Sequence, residues 1–463
     1  MRDPCEQKLE RWRILLFARD GMELLVFLTA AGLRLPDLHI PRWQRTAHNL
    51  NAEAKRVWSL ETFAMFPLEL PEVPNRSHDR LYHVMEACHP EDLTRIAPRC
   101  ALVSSLEAKS FADPLDFDAV QAGMKLQDAT NGPSGPFSQF GSFGRLRKWV
   151  SSKLASNGLH WNGRFSQLQA SASFSLIRFE TERQAVWFKA VGHPNAHEFL
   201  ITTTLAARLP KYLPKILATD ESCNGFLMSE AEGTLLLHSA EASNWEKAAI
   251  SLADMQMESI ARSDEILSAG ARDLRIFRLR ESIEPFFPVV QELMHQQKKT
   301  APPPLSDMAL GNLKENLENT LSRFGLLEIP DALLHLDCNP GNIVVGSSGC
   351  TFIDWAEAAI GSPFVTFQHM LEFFRQVHPA QPGREASLRN AYADRWRGMV
   401  EYRQIQDAMN FIPAVAAFAQ ATAILARQRK TLMEDQAIAA SLRSLTRRIW
   451  REIERIQVRR VPS

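Results

Sequence analysis

The sequence predicts an α+β protein with strand-rich segments first and helical ones after. Three observations carry this. Short apolar runs of strand type crowd between residues 165 and 229. From Asn244 onward apolar residues recur mostly at helical spacing. A turn-rich stretch at 131–136, Asn-Gly-Pro-Ser-Gly-Pro, separates both from an upstream segment that mixes the two patterns.

Length and composition bound the reading. At 463 residues the chain exceeds one ordinary core and predicts two or three domains. A 45% apolar and 23% charged composition is that of a soluble globular protein. The formal net charge of zero gives no reason to expect nucleic acid or an anionic membrane as partner. The N-terminus, Met1-Arg2-Asp3-Pro4-Cys5-Glu6, has no apolar stretch of the secretory type behind it. The most apolar long stretch, 411–426, is shorter than a membrane span and contains Pro413 and Gln420, so a buried core helix is expected. Six cysteines without a CxxC pair read as isolated thiols in a reducing cytoplasm.

The elements follow in order. Runs 13–18 and 24–28 are two strands around an Asp20-Gly21 turn; 45–60 is helical, and 82–86 and 101–103 add strands. Residues 1–127 therefore form a small α+β domain. Residues 128–144 form a linker, but Phe137, Phe140 and Phe143 are aromatics that a plain linker rarely holds, so the stretch docks on a domain surface. A helix over 146–159 opens the next domain. Strands at 165–170, 174–181 and 185–191, a helix at 196–209, and strands near 215–218 and 226–229 complete a β-rich lobe over 145–230. Residues 231–463 form a helical lobe, interrupted by strands at 343–345 and 351–353.

The chemistry concentrates in His335-Leu336-Asp337-Cys338-Asn339-Pro340-Gly341-Asn342, followed by Phe352-Ile353-Asp354-Trp355. Phosphoryl transfer from ATP needs an acceptor-only group beside the attacking hydroxyl, and oxygen ligands for Mg2+. Asp337 suits the first role; Asn342 and Asp354 suit the second. An exposed Asx-rich turn is the plain alternative for either segment by itself.

This HxDxxxxN and IDW arrangement resembles the aminoglycoside phosphotransferase and small-molecule kinase family. The resemblance implies a bilobal protein kinase-like fold, with a small β-rich N-lobe and a helical C-lobe, preceded here by the small α+β domain. It implies Asp337 as catalytic base, Asn342 and Asp354 as magnesium ligands, and His335 as the residue packing the catalytic loop. ATP and Mg2+ follow as the requirements, and the hydroxyl of a small molecule as acceptor.

The upstream lobe supplies what that implies. Lys189 interrupts the apolar run Val186-Trp187-Phe188-Lys189-Ala190-Val191, where an unpaired ammonium is costly, and Glu198 on the next helix is its expected partner. In the resembled family the matching lysine contacts the α- and β-phosphates. The alternatives are an outward lysine on an edge strand and a helix-capping carboxylate. The turn containing Ser171 and Ser173 lacks a GxGxxG run, but small residues let backbone amides approach a phosphate. Glu230 and Ala231 stand where the family's hinge offers backbone groups to adenine; an ordinary strand end is the other reading.

Trp355 follows Asp354 where a protein kinase has Phe-Gly, no Ala-Pro-Glu follows, and by Pro363 the chain again looks helical. That leaves no room for a long activation segment and favours a small acceptor. One departure stands out: Thr366 occupies the place where the family often has an Asp that braces the catalytic region. With the untypical first domain, it supports an alternative reading as a nucleotide-binding pseudokinase acting in regulation or interaction.

The flanks add less. Residues 32–60 are faintly similar to a Nudix domain, but the paired metal-binding glutamates of that motif fall on Arg56 and Val57, and only Glu53 matches an acidic place. A non-catalytic domain, degenerate Nudix-like or unrelated, is expected. The last ninety or so residues carry about twice as many basic as acidic side chains, including Arg455, Arg459 and Arg460. That balance does not favour a polycationic aminoglycoside as acceptor.

Overall fold

The computed structural model describes residues 9–18, 23–42, 45–70, 80–89, 91, 93, 100–103, 111–128, 135–239, 241–379, 382–428 and 435–458. The expected Asp20-Gly21 turn, residues 131–134 of the linker, the charged residues 1–6 and the Arg459-Arg460 pair lie outside them. The chain divides into two compact units, Met1–Phe199 with Lys215–Glu230, and Leu200–Pro214 with Ala231–Ser463.

The first unit begins with β1 (Leu9–Ala18), β2 (Glu23–Thr29), β3 (Gly32–Arg34), β4 (Asp37–Pro41), α1 (Thr46–Trp58), β5 (Thr62–Leu68), β6 (Leu81–Ala87), β7 (Cys100–Val103) and α2 (Pro114–Asp128). Their strands form a seven-stranded sheet ordered β3-β2-β1-β6-β5, with β4 paired to β1 and β7 to β2. The expected strands and helix are thus present, and the continuous apolar run of β1 has a simple cause. Alternate residues face opposite sides: Leu15 and Phe17 enter one apolar core, while Ile14, Leu16 and Ala18 enter another with Ala47, Leu50 and Ala54 of α1. A strand buried on both faces reads as an unbroken apolar run.

Next come α3 (Ser142–Ser156), β8 (Trp161–Ala170), β9 (Ser175–Thr181), β10 (Ala185–Ala190), α4 (His197–Arg208), β11 (Ile216–Asp220) and β12 (Gly225–Ser229). The second sheet is ordered β11-β12-β10-β9-β8, and β10 is its middle strand, antiparallel to both β9 and β12. The aromatics of the linker region pack as expected. Phe137 meets Phe188 edge-on at 6.3 Å between ring centroids, Phe140 lies 4.4 Å from Phe17, and Phe143 stacks on Phe63 at 4.5 Å. One apolar core therefore takes residues from both sheets, from Leu15 to Leu227.

A polar clamp crosses that core. Gln167 on β8 is 2% exposed, and its amide oxygen accepts from Ala64 N at 2.9 Å and from Asn51 Nδ2 at 2.9 Å. Its Nε2 donates to the Ala64 carbonyl at 2.8 Å. The register of β5 against β6 slips between Ala64 and Phe66, and the glutamine satisfies both backbone groups at that slip. Buried backbone groups left without partners cost about 1–3 kcal/mol each. Gln167→Leu is therefore expected to destabilise the first unit by about 2–4 kcal/mol in denaturant unfolding, and Gln167→Glu, which sets a buried carboxylate against the Ala64 carbonyl, by at least as much at neutral pH.

The second unit contains β13 (Thr234–Leu235), α5 (Ala242–Ser259), α6 (Ser263–Ser268), β14 (Arg272–Leu274), α7 (Ile276–Glu281), α8 (Ile283–His295) and α9 (Asp307–Gly325). After them come β15 (Ala332–His335), β16 (Ile343–Val345), β17 (Cys350–Phe352), β18 (Ala358–Gly361), α10 (Phe364–Val377), α11 (Pro382–Trp396), α12 (Tyr402–Gln428) and α13 (Gln436–Val458). Two three-stranded sheets, β13-β16-β17 and β14-β18-β15, are embedded among the helices. Among the described residues α12 alone is long and apolar enough to cross a membrane, and 67% of its apolar window is buried inside the protein. Ile412, Ala414 through Ala417, Phe418 and Ala421 are at most 1% exposed. It is a core helix, as its Pro413 and Gln420 suggest.

Candidate functional site

In the first unit the expected lysine–glutamate pair forms. Lys189 and Glu198 are 8% and 2% exposed, and Nζ donates to Oε1 of Glu198. The middle-strand position of β10 removes the edge-strand alternative for Lys189. Glu198, in the first turn of α4, turns its carboxylate to the lysine, while the turn itself is closed by Glu198 N donating to Asn195 O at 2.9 Å. Leu200 and the rest of α4 belong to the second unit.

The turn between β8 and β9 is held from both sides. Ser171 N donates to Phe174 O at 2.8 Å, and the Ala172 carbonyl accepts from Phe137 N at 3.0 Å. Gly192 approaches so closely that a Cβ there would lie 2.3 Å from Ser173 Cβ, a contact only glycine permits. At the other expected contact, Glu230 N is engaged by the Ala185 carbonyl at 3.1 Å, which narrows its backbone contribution to the carbonyl. Its carboxylate receives Arg178 Nε at 2.7 Å and Trp187 Nε1 at 3.1 Å, and the arginine holds it below the usual carboxylate range. Ala231 opens the second unit.

In the second unit β15 delivers His335 to the start of the motif loop, and the loop folds on itself. Asn339 is its internal staple: Oδ1 accepts from Gly341 N at 2.8 Å, its carbonyl from Asn342 N at 2.9 Å, and its N–H donates to Asp337 O at 2.8 Å. Two amides present the exposed Asp337 carboxylate, with Asn339 Nδ2 at 2.9 Å from Oδ1 and Asn342 Nδ2 at 3.1 Å from Oδ2. Because the nitrogen of Asn342 is turned to Asp337, its Oδ1 is the oxygen left for a cation. Ile353 N donates to Asn342 O at 3.0 Å, which sets Asp354 one residue beyond that contact. Asp354 is exposed and adopts φ 69° and ψ 71°. That left-handed conformation is uncommon outside glycine and asparagine, and such conformations gather at functional sites.

His335 holds these segments in place. It is fully buried, its Nε2 lies 2.9 Å from the Ile353 carbonyl, and its ring rests 4.5 Å from that of Trp355. Its backbone N–H donates to Thr366 Oγ1 at 3.0 Å. Thr366, itself fully buried on α10, is thus a brace for the loop through its hydroxyl, and the departure noted in the sequence keeps a bond where an Asp was expected. No sequence signal separated this from loss of the brace, because a hydroxyl and a carboxylate both accept a hydrogen bond. Sequence reading also passed over Asn339 as a staple and His369, a 6%-exposed α10 histidine that burial keeps below its ordinary pKa.

Asn342 and Asp354 offer hard oxygens, and Mg2+ typically takes one or two protein carboxylates with phosphate and water completing its octahedron. The donor set therefore fits. Among the described residues no group of three or more His, Cys, Asp or Glu side chains is placed to hold a metal.

The model of the phosphotransferase enzyme family, APH, matches residues 165–408, more than half of the chain. The chain belongs to this family. The match opens in β8 and closes in α12, and it contains Lys189, Glu198, the motif loop, Asp354 and Thr366. No curated protein matches the sequence. Similar solved structures include the macrolide 2'-phosphotransferase MphH from Brachybacterium faecium, at 17% identity over 64% of this chain and 97% of that one, with a TM-score of 0.42. A choline/ethanolamine kinase family protein from Mesorhizobium loti has 11% identity over 68% and 99%, with a TM-score of 0.44. The choline kinase LicA from Streptococcus pneumoniae has 13% identity over 68% and 99%, with a TM-score of 0.41.

The faint Nudix resemblance lies outside the matched span and gains nothing from the structure. Glu53, its one matching acid, is taken by Arg56, whose Nε and Nη2 lie 2.8 and 2.6 Å from its oxygens.

Removing the Thr366 hydroxyl strands the buried His335 amide. Thr366→Val is expected to cost about 1–3 kcal/mol in denaturant unfolding. Thr366→Ser, which restores the acceptor, should stay near wild type.

Proposed function

We propose that this family member transfers the γ-phosphoryl group of ATP to a hydroxyl of a small molecule, in a Mg2+-dependent reaction. The observation that carries the reading is the Asp337 carboxylate, exposed at the tip of a self-stapled loop and oriented by two amides. Such a group takes the proton of an attacking hydroxyl while its own orientation is kept. The acceptor oxygen forms the new bond to the γ-phosphorus, the bond from that phosphorus to the β–γ bridging oxygen breaks, and ADP leaves with the bridging oxygen. Asp337 holds the hydroxyl proton as the bond forms.

In this reading Lys189, steadied by Glu198, contacts the α- and β-phosphates, where a fixed positive charge offsets charge that moves onto the leaving group. Backbone amides around Ser171 and Ser173 cover the phosphates, and the Glu230 carbonyl with the Ala231 backbone meets adenine. Asn342 and Asp354 would hold Mg2+, which supplies charge neutralisation between the phosphates. The pseudokinase alternative loses its main support, since Thr366 still braces the loop.

The test is ADP release with Mg-ATP and a library of hydroxylated metabolites. Some acceptor is expected to stimulate release in the wild type. Asp337→Asn should lower kcat about 100-fold or more, and Lys189→Met should weaken ATP binding while the protein stays folded. Undiminished acceptor-dependent release by Asp337→Asn would show that another group is the base.

A further inference from the structure

In chain order residues 135–143 lie between the two sheets of the first unit, and they press on the turn that joins β8 to β9. A Cβ on Gly135 would fall well inside 3.0 Å of the Ala172 carbonyl oxygen and of Ser173 Cα, closer than real Cβ atoms come. Gly192 crowds Ser173 in the same way from the end of β10, so the serine is pinched between two glycines of different segments. Neither glycine adopts the left-handed conformation that favours this residue type. What both positions require is the missing side chain. Phe137 N completes the grip by donating to Ala172 O at 3.0 Å.

The grip has a fixed base. Ser138 closes residues 135–138 into a tight turn, its N and Oγ donating to the Gly135 carbonyl at 3.0 and 2.7 Å. Gly141 N donates to Oε1 of the buried Glu86 on β6 at 2.7 Å. Phe140 packs on Phe17 of β1 and Phe143 on Phe63 of β5. The same segment reaches the lysine strand, where Phe137 meets Phe188 beside Lys189. The turn at 169–174 contains no glycine of its own. A turn ordered in advance offers its amides without reorganisation, whereas a free one loses affinity to ordering on binding.

We propose that residues 135–143 are a strap by which the first sheet positions the β8–β9 turn over the nucleotide phosphates, with Gly135 as the positioning residue. The strap precedes the span 165–408 matched to the family, so the N-terminal part of the chain gains a task in nucleotide binding, one that rests on the phosphotransferase reading. That task is local to the phosphates. The turn lies beside Ser175, which pairs with Ala190 at the end of β10, whereas Glu230 and Ala231 follow Ser229, which pairs with Val186 at its start. Releasing the strap therefore disturbs the phosphate end of β10 and leaves the adenine end in place.

The test titrates the full chain with Mg-ATP and, separately, with adenosine, each followed by ligand-observed NMR. Gly135→Ala makes the turn withdraw by about 1 Å to restore ordinary contact. Its Kd for Mg-ATP is expected to rise about tenfold or more, while that for adenosine keeps its wild-type value. A merely structural lesion weakens both ligands together, so equal weakening, or none, overturns the proposal. Amide hydrogen exchange on the wild type decides the matter if the variant does not fold. Mg-ATP should slow exchange across 135–141 together with 171–174, and adenosine should not. Exchange at 135–141 indifferent to Mg-ATP, in a protein that binds it, overturns the strap alone. Absence of Mg-ATP binding by the wild type overturns the phosphotransferase reading beneath it.

Discussion

The second unit's chemistry depends on one buried histidine. His335 makes no use of solvent: its amide is taken by Thr366, its ring by the Ile353 carbonyl, and one face by Trp355. A loop of exposed aspartate and asparagines has little apolar surface with which to order itself, and ordering each residue costs about 1–2 kcal/mol of backbone entropy. The cost is met by anchoring the loop's root in the core and stapling its tip with Asn339. Through Ile353 the same histidine couples the loop to the residue before Asp354, so the two aspartates are set by one local fold.

The first unit solves a different problem. A lysine in the middle strand of a sheet is expensive when left alone, and a buried ion pair seldom repays its full desolvation. Lys189 and Glu198 are nevertheless almost wholly buried together. Stability alone gives little reason for such an arrangement, whereas the proposed contact of the ammonium with phosphate oxygens does. The neighbouring turn is fixed by the close approach of Gly192 to Ser173 and by the Phe137 amide.

Much of this was legible because local signals agree. Polar residues of the motif loop sit between apolar strand runs, the Lys189 interruption stands out against its neighbours, and the helical spacing beyond Pro363 became α10. Strands β15 and β18 were not legible, since four-residue apolar runs such as Ala332–His335 look the same in a buried helix. Strand β5 was hidden by Pro67. The Gln167 clamp joins residues more than a hundred positions apart, and such pairings leave no mark on local composition. The Thr366 brace was visible only as a departure, because a sequence names the residue and not the bond it makes.

The most direct test of the loop-and-aspartate assignment is the affinity of Mn2+, a paramagnetic stand-in for Mg2+, in the ATP-bound protein, followed by electron paramagnetic resonance. Asp354→Asn and Asn342→Ala should each weaken Mn2+ binding about tenfold or more, with ATP still bound through Lys189. Unchanged Mn2+ affinity in both variants would contradict the placement of the metal at this loop.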